Sequence, residues 1–458
     1  MPDRILANIL LDRFLAEDFE TLRETCAIAQ PPDVADAFAY FEAPEVLQML
    51  MALGEDARIE IYQYMTEELQ AQVAELMPAA DLARLFSELY SDDRAAIYKD
   101  LSEEKQQEVM HLLAATERED IRRLGSYPEG SCGAEMTSDY MSLPPSITAG
   151  QAIARIRAEA PDKETIYYCY VVDKSRKLVG MVTLRDLILA HPERLVGDIM
   201  NPDTLHVDVN DDQETATRLI RRYDLIAVPV TGSDKTLVGI ITHDDALDIV
   251  EQEHTEDLEK FMAIAGEHEA GAYLRTPVIQ HFRNRVGWIL GLAVLGLVSG
   301  YIVQSFEGLL VQFAVLATFM PMLADSGGNT GSQSATLVIR AMALGEVKPR
   351  DAMTIVGKEF LIAAPLGILL GLFAMGRVFA FYGSDGPPGG ASPLLVGVTV
   401  GTALLCQVVT ATLIGALLPL GAARLKLDPA VIASPALTTI VDISGLLIFF
   451  TTAKMMLA

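Results

Sequence analysis

The chain has little cysteine, little positive charge and no catalytic signature. Its four cysteines, Cys26, Cys132, Cys169 and Cys406, show neither metal-type spacing nor a disulfide framework, and read as small buried side chains in a reducing compartment. The 35 Lys and Arg are outnumbered by 62 Asp and Glu, a balance poorly suited to nucleic acid and well suited to attracting cations. No Walker-type glycine loop, catalytic triad pattern or nucleotide-hydrolysis motif is present, so enzymatic activity is not expected. The first twenty residues mix Arg and acids with amphipathic leucines, which is not the pattern of a secretory signal. The soluble part is therefore expected in the cytosol.

Charge then divides the chain. From Thr276 onward eight acids face ten bases, which leaves residues 1–275 at a formal charge of −29 and the remainder at +2. The second part holds five hydrophobic segments, at 286–305, 308–324, 360–382, 394–420 and 430–453. Arg275, Arg283 and Arg285 precede the first, Arg340, Lys348, Arg350 and Lys358 lie between the second and third, and Arg424 and Lys426 between the fourth and fifth. With basic loops on the inner side, five spans put the N-terminus in the cytosol and the C-terminus outside a plasma or inner membrane.

One carboxylate stands out in the last segment. Between Ala430 and Ala453 the only charged residue is Asp442, in Thr438-Thr439-Ile440-Val441-Asp442-Ile443-Ser444-Gly445. An ionised Asp near the middle of a membrane helix costs at least about 2.5–3.5 kcal/mol, so it needs a watery path, a cation or a partner. A cation site in a pore is one reading, and a protonated Asp bonded to another helix for packing is the other. The second segment runs into Pro321-Met322-Leu323-Ala324-Asp325-Ser326-Gly327-Gly328-Asn329-Thr330-Gly331-Ser332-Gln333, where Pro321 and the glycine pair are expected to break the helix and free carbonyls. Carbonyls near Gly327, Gly328 and Asn329, opposite Asp442, suit a hydrated hard cation such as Mg²⁺, which gives up its waters reluctantly. A helix-packing notch of small residues is the alternative.

The acidic half has three parts. Residues 1–130 read as an array of short helices, with starts at Pro32-Asp33, Pro44-Glu45, Glu55-Asp56, Thr66-Glu67, Ala80-Asp81, Ser91-Asp92, Ser102-Glu103 and Thr116-Glu117. Each start puts an acid in the first turn, where the helix dipole favours it. Two similar α/β units follow, at 131–197 and 198–250. Their closing stretches, Val179-Gly180-Met181-Val182-Thr183-Leu184-Arg185-Asp186 and Val238-Gly239-Ile240-Ile241-Thr242-His243-Asp244-Asp245, align residue for residue. This pair resembles a tandem cystathionine-β-synthase (CBS) module. In such a module Thr183, Asp186, Thr242 and Asp245 would hold the phosphate and ribose of an adenine nucleotide such as ATP; otherwise they cap the next helix. Residues 251–275 begin as an acidic helix, with Leu258, Phe261, Met262 and Ala265 as its packed side. Its acids are either a solvated surface or a gate.

Taken together, these pieces resemble the MgtE family of magnesium channels and transporters over nearly the whole chain. The resemblance rests on Ser126-Tyr127-Pro128-Glu129 ending the helical domain, the CBS pair, the acidic linker and Tyr273-Leu274-Arg275-Thr276. It extends to Arg283-x-Arg285 before Trp288, the Gly327–Thr336 motif and the Asp442 motif. It implies a homodimer in the lipid bilayer, with five helices per subunit in residues 276–458 and an ion path between subunits. Asp442 of each subunit would flank a hydrated Mg²⁺, with backbone near Gly327–Asn329 contributing. The linker would be a plug helix that closes the pore when cytosolic Mg²⁺ is high. Cations bridging the acidic half would drive that closure, and candidates are Asp92, Asp93, Asp211, Asp212, Glu214, Asp244, Asp245, Asp248, Glu251, Glu256, Asp257 and Glu259. Asp325 departs from the small or apolar residue expected there; it either strengthens cation attraction or faces a water-filled vestibule. A carrier for Mg²⁺ or Co²⁺ coupled to a counter-ion, and a non-conducting membrane Mg²⁺ sensor, are the competing readings.

Overall fold

Acid-led helix starts and the 3.6-residue spacing of apolar side chains turn residues 2–124 into short helices, from α1 (Pro2–Leu15) to α10 (Ala115–Leu124). The computed structural model describes residues 2–262, 264, 276–383, 390–427, 429 and 435–458. Two compact units result, Met1–Val250 and Glu251–Ala458. In the first, each short helix turns its apolar side to one shared core that includes Leu22, Phe38, Met49, Leu50, Tyr62, Val73, Leu82 and Phe86. Burying one such side chain is worth about 1.5–3 kcal/mol, which no ten-residue helix could supply alone.

Each α/β repeat forms a three-stranded sheet of the same plan. The first has β1 (Tyr140–Leu143), α11 (Ala149–Glu159), β2 (Thr165–Val172), β3 (Leu178–Thr183) and α12 (Leu184–Leu189). The second follows the short helix α13 (Val196–Ile199) and has β4 (Val207–Asp208), α14 (Gln213–Tyr223), β5 (Ala227–Thr231), β6 (Leu237–Thr242) and α15 (His243–Phe261). In both sheets the first strand runs parallel to the second and the third antiparallel, with Cys169 opposite Val182 and Val228 opposite Ile241. The repeats also exchange backbone. Met181 pairs with Asn201 and Ile240 with Thr137, an approach so close that a Cβ on Gly180 or Gly239 would meet Met200 or Met136 sulfur at 2.7 and 2.5 Å.

The acidic helix is continuous with the second repeat: α15 runs 19 residues from His243 to Phe261. Of its expected packed side, Leu258 is 67% and Met262 59% exposed. The Phe261 side chain and Ala265 lie outside the described residues, as do residues 265–275.

The second unit contains α16 (Val278–Ser305), α17 (Glu307–Gln312), a 3₁₀ turn (Ala314–Phe319), α18 (Met320–Ala343), α19 (Ala352–Tyr382), α20 (Pro393–Arg424) and α21 (Pro435–Leu457). Among the described residues four helices are long and apolar enough to cross a membrane: Val278–Ser305, Pro349–Tyr382, Pro393–Arg424 and Ala436–Leu457. The segment expected as the second span, 308–324, is instead divided between α17, the 3₁₀ turn and the start of α18. The expected break at Pro321 and the glycine pair is also corrected. Pro321 sits in the first turn of α18, where its missing N–H costs nothing, and Gly327 and Gly328 continue the helix.

Helix α20 packs against α18, α19 and α21. Small residues set its distance from α18: a Cβ on Gly415 would meet the Gly331 carbonyl oxygen at 2.2 Å. Gly415→Ala is expected to destabilise this unit by about 1–3 kcal/mol, because a helix backbone cannot yield as a side chain can. Gly376→Ala on α19, which faces open space, should melt like the unaltered protein in detergent.

Candidate cation sites

Two separate places collect carboxylates that have lost water without gaining a base. The first lies where the helical array meets the CBS pair. The N-terminus of α8 (Ser91–Asp100) is held there by Ser91, whose backbone N–H donates to Asp139 Oδ2 at 3.0 Å. Its Oγ lies 3.2 Å from Thr137 Oγ1 and accepts from the Ser138 N–H at 2.7 Å. Docking Ser91 carries the next two residues, Asp92 and Asp93, toward Glu164 and the start of α15.

These acids raise one another's pKa. Burial, and then Asp93, Asp245 and Glu164, push the Asp92 carboxyl well above its usual range. Burial and the charges of Asp245, Glu67, Asp244 and Asp248 lift Asp93 to about 7. Glu164 rises to about 9, through burial and then Asp245, Asp93, Asp244 and Asp139. Asp245 is raised by burial against the opposing pull of its Thr242 hydrogen bond, with Asp244 and Asp248 adding to the rise. Asp92 Oδ1 and Glu164 Oε2 are sealed from solvent with no hydrogen-bond partner. The acid pattern of the sequence pointed to Asp92, Asp93, Asp244, Asp245 and Asp248 but missed Glu67, Asp139 and Glu164. Glu164 precedes β2 with no neighbouring acid run to mark it.

The remaining cytosolic candidates have other local duties. Asp211 Oδ2 accepts from the Asp208 N–H at 2.9 Å in a turn, and Asp212 caps α14 by accepting from the Glu214 N–H at 2.9 Å. Glu256 pairs with Lys260 at 2.5 Å on α15, the helix that also carries Glu251, Asp257 and Glu259. Thr183 and Asp186, like Thr242 and Asp245, bond to each other at 2.5 Å across the first turn of the helix they start. Both pairs are thus caps. The Asp245 pair also stands among the carboxylates just described, which would repel a phosphate; the Asp186 pair does not.

The second place lies in the membrane unit. Gly327 of α18 packs on Val441 of α21, and Gly328 faces Thr438, one turn before Asp442 on the same helix. Asp442 Oδ1 is buried and takes no hydrogen bond from any described residue. Carbonyls on the α18 side are not bare. Those of Ser326 and Gly327 accept from the Thr330 hydroxyl at 2.8 and 3.2 Å. Asp325 is exposed and accepts from Asn329 Nδ2 at 3.1 Å, so these two polar groups share one face of α18. Among the described residues no three His, Cys, Asp or Glu side chains converge on one metal position.

Comparison with known proteins agrees with this arrangement. Residues 320–452 match a family described as divalent cation transporter, residues 29–130 match the MgtE intracellular N domain, and residues 132–193 and 196–252 match CBS domains. An acidic half carrying a CBS pair, joined to helices long and apolar enough to cross a membrane, is the architecture of a divalent-cation transporter of that family. The magnesium transporter MgtE of Thermus thermophilus is 38% identical over 74% of this chain and 73% of its own length, and that of Bacillus subtilis 35% over 73% and 72%. The crystal structure of the cytosolic domain of the Mg²⁺ channel MgtE in complex with ATP is similar over 53% of this chain and 99% of that one, with 32% identity and a TM-score of 0.51. The chain belongs to the MgtE family of magnesium transporters.

A carboxyl with a raised folded-state pKa binds its proton more tightly in the docked state than in the free one. Docking of the helical array on the CBS pair is therefore favoured at low pH. It weakens as pH rises past the ordinary values of 3.8 for Asp and 4.5 for Glu, through about 7 for Asp93 and about 9 for Glu164. Without divalent cations, the melting temperature of the first unit in the full-length protein should fall from about pH 5 to about pH 9. Millimolar Mg²⁺ should flatten that slope, whereas a flat profile in its absence would contradict the coupling.

Proposed function

We propose that the protein is a Mg²⁺ channel of the plasma or inner membrane, formed by two copies of the chain and closed by cytosolic Mg²⁺. The observation that carries this reading is Asp442 Oδ1, buried on a membrane-length helix and without a hydrogen-bond partner among the described residues. A lone carboxylate there is costly unless a cation faces it. One carboxylate per chain does not neutralise a divalent ion, but two related by a twofold axis do. Mg²⁺ keeps most of its waters, so such a site needs few protein ligands, and Asp442 with the Gly327–Asn329 stretch suffices. Asp325 adds negative potential near the path.

Closure is assigned to the acids around Asp92. Six mutually repelling carboxylates, Asp92, Asp93, Glu164, Asp244, Asp245 and Asp248, make docking unfavourable until a cation is shared among them. Mg²⁺ then binds the docked state more tightly than the open one, which is the condition for a ligand to shift the equilibrium. The acids of α15, Glu251, Glu256, Asp257 and Glu259, extend that response toward residues 276–458. Adenine nucleotide binding is assigned to the first repeat, at Thr183 and Asp186, away from the repelling carboxylates. With α18, 24 residues long, taken as a fifth span beside the four apolar helices, the N-terminus is cytosolic and the C-terminus extracytoplasmic.

Flux into proteoliposomes tests the pore. Asp442→Ala is expected to cut Mg²⁺ influx at least about tenfold, equivalent to about 1.4 kcal/mol, in protein that still folds. A reversal potential that follows Mg²⁺ alone identifies a channel; one that moves with a proton or Na⁺ gradient identifies a coupled carrier instead. Undiminished influx through Asp442→Ala would make Asp442 a packing residue.

A further inference from the structure

Gln407 of α20 is fully buried in a helix otherwise built from small and apolar side chains. Its Nε2 donates to the carbonyl of Val441 at 3.0 Å, the residue directly before Asp442. The Ser444 hydroxyl donates to the same carbonyl, also at 3.0 Å. Two glycines leave room for the amide. A Cβ on Gly327 of α18 would come to 2.3 Å from Gln407 Nε2, and one on Gly445 of α21 to 2.4 Å. One side chain thus fills the seam where three helices meet, and both helices that carry the pore motifs have given up a side chain to admit it.

The amide is held at a cost. Its Oε1 is sealed from solvent and has no hydrogen-bond partner among the described residues. An apolar side chain of similar size would avoid that penalty and still pack. What an apolar side chain would lose is the bond to Val441.

We propose that Gln407 is a positioning residue for ion selection: it fixes Asp442 relative to Gly327–Asn329 and so sets the width offered to a hydrated divalent cation. This rests on the reading of Asp442 as the pore carboxylate. Gln407 itself touches no ion. It acts through the Val441 carbonyl, which ties the turn carrying Asp442 to α20, and through contact with Gly327, which sets how near α18 comes. Divalent cations that differ in the ease of shedding water respond differently to that spacing. Moving Asp442 therefore changes the ratio of their fluxes as well as the total.

The test is the ratio of Mg²⁺ to Co²⁺ influx in proteoliposomes containing the full-length protein. Gln407→Met keeps the volume but removes the donor, and Gly445→Ala keeps the donor but displaces it. Each is expected to move the ratio by at least about threefold, and the double variant no further than the larger single, because both act through one contact. An unchanged ratio in either folded variant overturns the proposal, even if total flux falls. Failure of both to fold reduces Gln407 to packing and overturns it as well. Asp442→Ala in the same series separates the two ideas. Lost flux there with an unchanged ratio in Gln407→Met removes only the role of Gln407, whereas retained flux removes the pore reading and this inference together.

Discussion

A carboxylate deprived of water must obtain compensation from something, and both units of this protein withhold it. At the face between the helical array and the CBS pair, Asp92 and Glu164 each keep one oxygen that is buried and unpartnered. In the membrane unit Asp442 does the same. Folding could have relieved any of the three with an Arg or Lys, as stable buried pairs do elsewhere. Under the proposed function, a mobile cation is the missing partner. The chain's excess of 62 acids over 35 bases is the bulk sign of that arrangement, and the three orphaned oxygens are where it becomes specific.

The surrounding structure keeps these groups in place without quenching them. Ser91 spends its backbone N–H and hydroxyl on Asp139, Thr137 and Ser138, so the docking contact brings no base to Asp92 or Asp93. In the membrane unit the turn that carries Asp442 is likewise held by an uncharged group, the Gln407 amide on Val441. Anchors that bring no base let the positions be rigid while the carboxyl oxygens stay unpaired. A salt bridge would have supplied rigidity and paired them.

Much of this was legible from residue order. The eight expected helix starts fall within one residue of the helices that begin at Pro31, Ala43, Glu55, Glu67, Ala79, Ser91, Glu103 and Ala115, since an acid in the first turn marks the place where four N–H groups need an acceptor. The twofold repeat was visible because Gly180 and Gly239 meet the same demand, a backbone crossing too close for a side chain. Strands β1 and β4 were not visible: four and two residues long, they carry too little alternation to register. The helix through Gly327 was misread as a break because glycine weakens an isolated helix, whereas here close packing against Gln407 and Val441 supplies what propensity lacks. Glu67, Asp139, Glu164 and Gln407 were missed for one reason. Their importance comes from partners 25 (Asp139 and Glu164) to 181 (Glu67 and Asp248) positions away in sequence, and no local pattern records that.

The continuity of α15 has a mechanical consequence. Nineteen helical residues from His243 to Phe261 make a rod of about 28 Å at 1.5 Å per residue. The carboxylates of Asp244, Asp245 and Asp248 sit at one end of that rod. A tilt of about 10° imposed there displaces the far end by about 5 Å, close to the rise of one helical turn. Under the proposed function, small movements at the cation site would thereby be geared up along the helix, with a gain set by its length.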